Sequence, residues 1–162
     1  MARAKSKTAS KAAPTLFTIG YEKATSAAVL AELKHAKVKL LVDTRAVAAS
    51  RRAGFSKRQL AASLDEAGIA YLHLQKLGTP AEGREAARAG KLETLWRVYA
   101  KHLATPEAVA AMDELVSIVE TGRPVCLLCY ERDKACCHRS RIAEIVSERT
   151  GANVVDLAPA LF

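Results

Sequence analysis

The sequence predicts a single α/β domain, a layered sandwich around a mostly parallel sheet of about five strands. Three observations predict it. Short apolar runs recur along the chain: LFTIGY, VKLLVD, IAYLHL, PVCLLCY and NVVDL. Most are continuous rather than alternating, which suits strands covered on both faces. Segments with helical apolar spacing separate them, and strict alternation of strand and helix gives a parallel sheet with helices packed on it.

The elements follow in order. Leu16 to Tyr21 forms the first strand, broken by Gly20. Val29, Leu30 and Leu33 mark the first helix, and Val38 to Asp43 the second strand. A loop with three arginines follows, TRAVAASRRAGF. The next helix start carries a capping-box spacing, Ser56 and Gln59, with Phe55 and Leu60 as a hydrophobic staple. That helix runs through Leu64 towards Gly68, and Ile69 to Leu74 is the third strand. Residues 75–91, charged and dotted with glycine and proline, read as a loop. Leu92 to Leu103 is helical. Thr105 then caps a helix that starts at Pro106, faces inward through Val109, Met112, Val116 and Val119, and stops at Gly122. Pro124 to Tyr130 is the fourth strand. A helix with Ile142, Ile145 and Val146 ends at Gly151, and NVVDL is the fifth strand. This order fits a Rossmann-like or flavodoxin-like sandwich but leaves the strand order undetermined.

Composition bounds the class. The 162 residues match one domain, and an apolar content of 50% is enough for a core. Residues 1–13 are expected to be a disordered basic tail and 14–162 the folded domain. The tail holds Arg3, Lys5, Lys7 and Lys11 without an acid, half of the net charge of +8. Such a tail suggests weak contact with nucleic acid. No apolar run approaches the ~20 residues that span a bilayer. Neither that nor the opening residues suggest a membrane partner or an export signal, so a cytoplasmic protein is expected. Four cysteines without a secreted-scaffold spacing fit a reducing compartment.

Parallel sheets place ligands outside the carboxyl ends of their strands. Four segments then share one rim: Gly20-Tyr21, Asp43 to Arg52, His73 to Gly78, and Cys129 to Arg139. The last contains CYERDKACCHRS, with three of the four cysteines. Cys129 or Cys137 near a helix start and basic side chains is a candidate thiolate nucleophile. Cys126, mid-strand, reads as packing. Zinc is disfavoured, because Cys136, Cys137 and His138 are adjacent and cannot easily converge with Cys129 on one tetrahedral ion. No cofactor is predicted. Glu131 and Asp133 argue against a phosphatase loop, and Ala135 stands where that loop needs arginine. Arg45 and Arg51 are candidate anion ligands, with Asp43 orienting a guanidinium or meeting a ribose hydroxyl. His73 and His138 are candidate bases.

The segments TIGYEK, LLVDTRAVAASRRAGFSK, AGIAYLHLQKLG and VCLLCYERDKACCHRSRIAEIV resemble the DUF488 family. The resemblance implies an α/β fold and a polar cluster at the strand ends, but no activity. It implies as site residues Gly20, Asp43, Arg45, Ser50, Arg51, Phe55, His73, Gly78, Cys129, Glu131, Cys137, His138 and Arg139. Two residues depart from the family pattern, Ala48 and Gln75, each where proline is usual, and this implies looser loops.

The expected function is binding of a small anionic ligand or nucleic acid at the rim. Gly20, Tyr21, Asp43, Arg45, Ser50, Arg51, His73, Gly78 and Arg139 would bind it. Hydrolysis or group transfer would use Cys129, Glu131, Cys137 and His138. The alternatives are a non-catalytic nucleic-acid-binding module and a regulatory domain whose polar cluster is structural. The oligomeric state is left open.

Overall fold

The apolar runs become five parallel strands in a computed structural model that describes residues 12–161. The expected tail therefore lies, but for its last two residues, outside the described residues. The strands are β1 (Thr15–Gly20), β2 (Leu40–Asp43), β3 (Ala70–His73), β4 (Val125–Cys129) and β5 (Asn153–Leu157). The helices are α1 (Ser26–His35), α2 (Lys57–Glu66), α3 (Ala81–Arg88), α4 (Leu92–Leu103), α5 (Pro106–Glu120) and α6 (His138–Thr150). The strand order is β3-β2-β4-β1-β5.

Burial follows that order. The inner strands β2 and β4 are buried at every residue, as their continuous apolar runs require. The edge strand β5 leaves Val154 and Val155 exposed. Side chains alternate across the sheet and feed two cores. Ile19, Leu41, Cys126 and Leu128 meet Val29 and Leu33 of α1 and Leu60 and Leu64 of α2. Leu16, Val42, Val125 and Leu127 face Tyr99 of α4, Leu115 of α5 and Ile142 of α6.

Three local expectations are corrected. Residues 75–91 are not a loop throughout: a short 3-10 turn over Gln75–Leu77 precedes helix α3. Gly83, within the stretch read as loop, lies inside α3, where a Cβ would come within 2.6 Å of Thr79 Cγ2 and 3.4 Å of Val98 Cγ1 on α4. The glycine serves close helix packing. The capping box does not form: Ser56 Oγ instead accepts from Ser50 N and donates to Ser50 O, both at 3.1 Å. Gln59 Oε1 accepts from Gly54 N. These bonds tie the arginine loop to the start of α2, while Phe55 and Leu60 are both buried as the staple requires. Val109 is 45% exposed and lies off the inward face of α5, which Met112, Leu115, Val116 and Val119 make.

Loops after β1 and β2 enter α1 and α2 on one face. Those after β3 and β4 lead to the helices of the other face. Adjacent strands whose loops diverge open a crevice at their carboxyl ends.

Candidate functional site

A cleft of about 620 Å³ lies at that crevice. Its walls come from three of the four predicted rim segments, from Thr79 just past the fourth, and from α3: Tyr21, residues of the arginine loop between Arg45 and Arg52, Thr79, Arg84 and Arg88, then Tyr130, Glu131, Cys136 and His138. Of the residues expected to form the site, Tyr21, Arg45, Ser50, Arg51, Glu131 and His138 line it. Gly20, Asp43, His73, Gly78, Cys129, Cys137 and Arg139 stand behind it, in contacts that shape the walls.

Asp43 and Arg45 form the first of these supports. Arg45 donates from Nε to Asp43 Oδ1 at 2.9 Å and from Nη2 to Oδ2 at 2.7 Å. Its Nη1 reaches Tyr21 Oη at 3.1 Å and the Phe55 carbonyl at 2.7 Å. Burial alone would lower the Arg45 pKa, but the pairing with Asp43 overrides it and raises it. Tyr71 donates to Asp43 Oδ2 at 2.5 Å, and burial together with that bond pushes its phenol up. Tyr21 also stacks on Phe55, ring centres 4.2 Å apart. Each side-chain nitrogen of Arg45 thus has a partner within the protein, so Arg45 holds the loop rather than offering a free fork to a ligand.

Arg139 is placed similarly. It is 2% exposed. Its Nε meets Thr18 Oγ1 at 3.3 Å, Nη1 meets Cys129 Sγ at 2.7 Å and the Glu131 carbonyl, and Nη2 meets the Arg132 carbonyl at 3.0 Å. Gly20 permits this, since a Cβ there would overlap the Glu131 carbonyl and lie 2.9 Å from Arg139 Nη1. Gly78 likewise lets the backbone of Ala46 pass close. Both glycines are packing devices for the rim.

The histidines are held too. His73 Nε2 donates to the Arg45 carbonyl at 2.7 Å. His138 Nε2 donates to the Thr44 carbonyl at 2.8 Å and lies 3.1 Å from Thr44 Oγ1. Thr44 Oγ1 gives its own proton to Leu128 O, so the imidazole proton sits on Nε2 and the Nδ1 lone pair faces Cys137 Sγ at 3.7 Å. Burial pulls the His138 pKa down to about 4, only partly offset by the Thr44 bond. The ring is neutral at physiological pH. No buried side-chain nitrogen or oxygen lacks a partner among the described residues, so this network is rigid rather than half-satisfied.

The loops are also better tied than their missing prolines imply. Gln75 Nε2 donates to the Ala46 carbonyl at 3.0 Å, and the Ala48 carbonyl accepts from Lys57 N at 2.8 Å.

The cysteines diverge in role. Cys126 is buried in β4, and burial pushes its thiol up. Cys136 is exposed in the cleft wall. Cys129 and Cys137 are joined as a disulfide that sequence spacing did not suggest. Their sulfurs and a Glu131 carboxylate oxygen lie within 4.8 Å of one another, a set that could ligate a metal. The guanidinium of Arg139 against Cys129 Sγ disfavours a cation there.

Sequence reasoning missed Arg84 and Arg88, because it read their helix as loop. Their spacing of four residues, one helical turn, was the available signal. Arg84 Nη1 donates to the Thr79 carbonyl at 2.9 Å. Arg51 and Arg88 make no side-chain hydrogen bond or ion pair among the described residues.

This is a parallel α/β domain with an arginine-lined cleft at the carboxyl ends of its strands. The chain belongs to the DUF488 family, a domain of unknown function, whose model matches residues 25–146. No curated protein and no solved structure matches it. Among the described residues, no helix is long and apolar enough to cross a membrane.

Proposed function

We propose that the cleft binds a phosphate-bearing ligand of nucleotide or nucleic-acid type. One observation carries this reading. Arg51 and Arg88, without partners among the described residues, and Arg84, with one bond, line a cleft whose one acid is Glu131. Guanidinium forks match phosphate oxygens bidentately, and cations left without carboxylates gain most from an anion. Tyr130, 44% exposed in the same wall, offers a ring face to a base. Its edge-on contact with Tyr21, at 5.4 Å, supports it from behind.

A second reading, hydrolysis or group transfer at the bound phosphate, is favoured by Glu131. Burial raises its carboxyl pKa, and a raised carboxyl in a cleft suits a general acid or base. His138 is less suited, because its Nε2 proton is committed to Thr44.

Calorimetric titration with inorganic phosphate, AMP, ATP and a short single-stranded oligonucleotide tests the reading. Wild type should bind at least one of these, with affinity falling as salt rises. Arg51→Ala combined with Arg88→Ala should weaken binding roughly tenfold or more, the loss expected of charge-assisted hydrogen bonds. Absence of binding to all four, or binding that the double variant leaves unchanged, would overturn it.

A further inference from the structure

Cys129 ends β4 and Cys137 caps α6, so the pair closes residues 130–136 into a clasp. That clasp carries Tyr130, Glu131 and Cys136 into the cleft wall. The two sulfurs are buried, at 0% and 1% exposure. Cys136 and His138, on either side of Cys137, both line the cleft.

The surroundings of both sulfurs suit thiolates. Arg139 Nη1 points at Cys129 Sγ from 2.7 Å. Arg139 makes no ion pair with a carboxylate among the described residues. Its other side-chain partners are a hydroxyl and two backbone carbonyls. The carboxylates of Asp156 and Glu131 act on this guanidinium only from beyond ion-pair distance; with neutral groups as its direct partners it favours an anion beside it, and in the reduced protein the Cys129 thiolate fills that place. Cys137 Sγ accepts from Arg139 N at 3.5 Å, at the N-terminus of the 13-residue helix α6. Helix N-termini favour thiolates. The neutral His138 Nδ1 lone pair, the other close polar group, can accept from the Cys137 thiol but does not stabilise its thiolate, which rests on the helix terminus.

We propose that Cys129 and Cys137 are a reversible dithiol–disulfide couple that exchanges with low-molecular-weight thiols and disulfides through the cleft, moving the loop 130–136 as it does so. Cys137, flanked by the two cleft-lining residues, is the attacking sulfur. As thiolate it attacks a small disulfide RSSR, forms a mixed disulfide and expels RS⁻. The Cys129 thiolate then attacks Cys137 Sγ and expels the second RS⁻. The two protons of the dithiol end on the two released thiols. The cysteines lose two electrons and RSSR gains them. Because Arg139 stabilises the thiolate form, the couple is an oxidising one, as stabilising a reduced dithiol makes any such pair. The exchange does not depend on what the cleft binds.

Full-length protein equilibrated across glutathione–glutathione disulfide ratios, acid-quenched, alkylated and mapped by mass spectrometry tests this. The Cys129–Cys137 linkage should rise and fall reversibly with the ratio in folded protein. Cys129→Ser should accumulate glutathione on Cys137, while Cys136→Ser should keep the couple. Should Cys129→Ser fail to fold, the wild-type titration decides alone. The inference is overturned if both cysteines alkylate at every ratio or if the linkage reduces only after unfolding. It is also overturned if native mass spectrometry finds stoichiometric zinc on the reduced protein.

Discussion

Arg45 grips Asp43 through two parallel hydrogen bonds, 2.9 and 2.7 Å long, with the carboxylate fully buried and the guanidinium 6% exposed. The pair binds the end of β2 to the arginine loop and, through Tyr21 and the Phe55 carbonyl, to the start of α2. It converts the most obvious anion ligand in the sequence into the frame that aims its neighbours.

Removing one partner of such a pair leaves the other charged and buried. Arg45→Ala is expected to destabilise the fold by about 3–5 kcal/mol. Arg45→Lys should recover only part, since an ammonium cannot reproduce the fork. Urea denaturation followed by circular dichroism reads both. An Arg45→Ala protein as stable as wild type would show that the pair is not the frame.

Gly20→Ala tests the second support. The added methyl would drive into the Glu131 carbonyl, which is backbone and cannot swing aside. A cost of about 1–3 kcal/mol is expected, typical of overpacking. The β4–α6 loop should also show faster hydrogen exchange around Glu131.

His138 gives a pH dependence whose sign is set by burial. Its pKa falls from 6.5 to about 4 on folding. Between those values the unfolded chain binds the proton and the folded one does not. The stabilisation is therefore complete above about pH 6.5. It is lost as pH drops towards 4, amounting to at most roughly 3 kcal/mol. His138→Gln, which can still donate to Thr44, should flatten that part of the stability–pH curve. An unchanged curve in the variant would place the titration elsewhere.

Glu131 should oppose anion binding in proportion to its charge. Its raised carboxyl pKa means that phosphate affinity should improve as pH falls through that raised value. Glu131→Gln should tighten binding roughly two- to tenfold and remove the dependence, an effect on the scale of a partly screened charge pair. Should the second reading hold, the same variant would bind more tightly yet turn over more slowly.

Much of the fold was legible because local signals agreed with it. NVVDL and Leu92 to Leu103 appear in the structure with the bounds their patterns suggest, and Thr105 caps α5 through Ala108 N at 3.4 Å. The errors fell where a residue answers to a distant neighbour. Gly83 fell in a stretch read as loop, but it lies in α3 packed against Thr79 and Val98. Ser56 had a capping partner in sequence but bonds the chain six residues earlier.

By itself the sequence determined the class of fold, the order of its elements and the four loops that meet at one rim. Periodicity, glycine and proline report on local backbone energetics, and parallel strands all point their carboxyl ends one way. Only the tertiary structure decided which charges are free. Asp43 takes Arg45, carbonyls and sulfur take Arg139, and Arg51 and Arg88 line the cleft without a partner among the described residues. The strand order, which sets β4 between β1 and β2, brings Thr44 to His138 across 94 residues, a juxtaposition no local pattern encodes. Pairing of buried polar groups is a property of the packed interior, where an unmet donor or charge costs far more than it does in water.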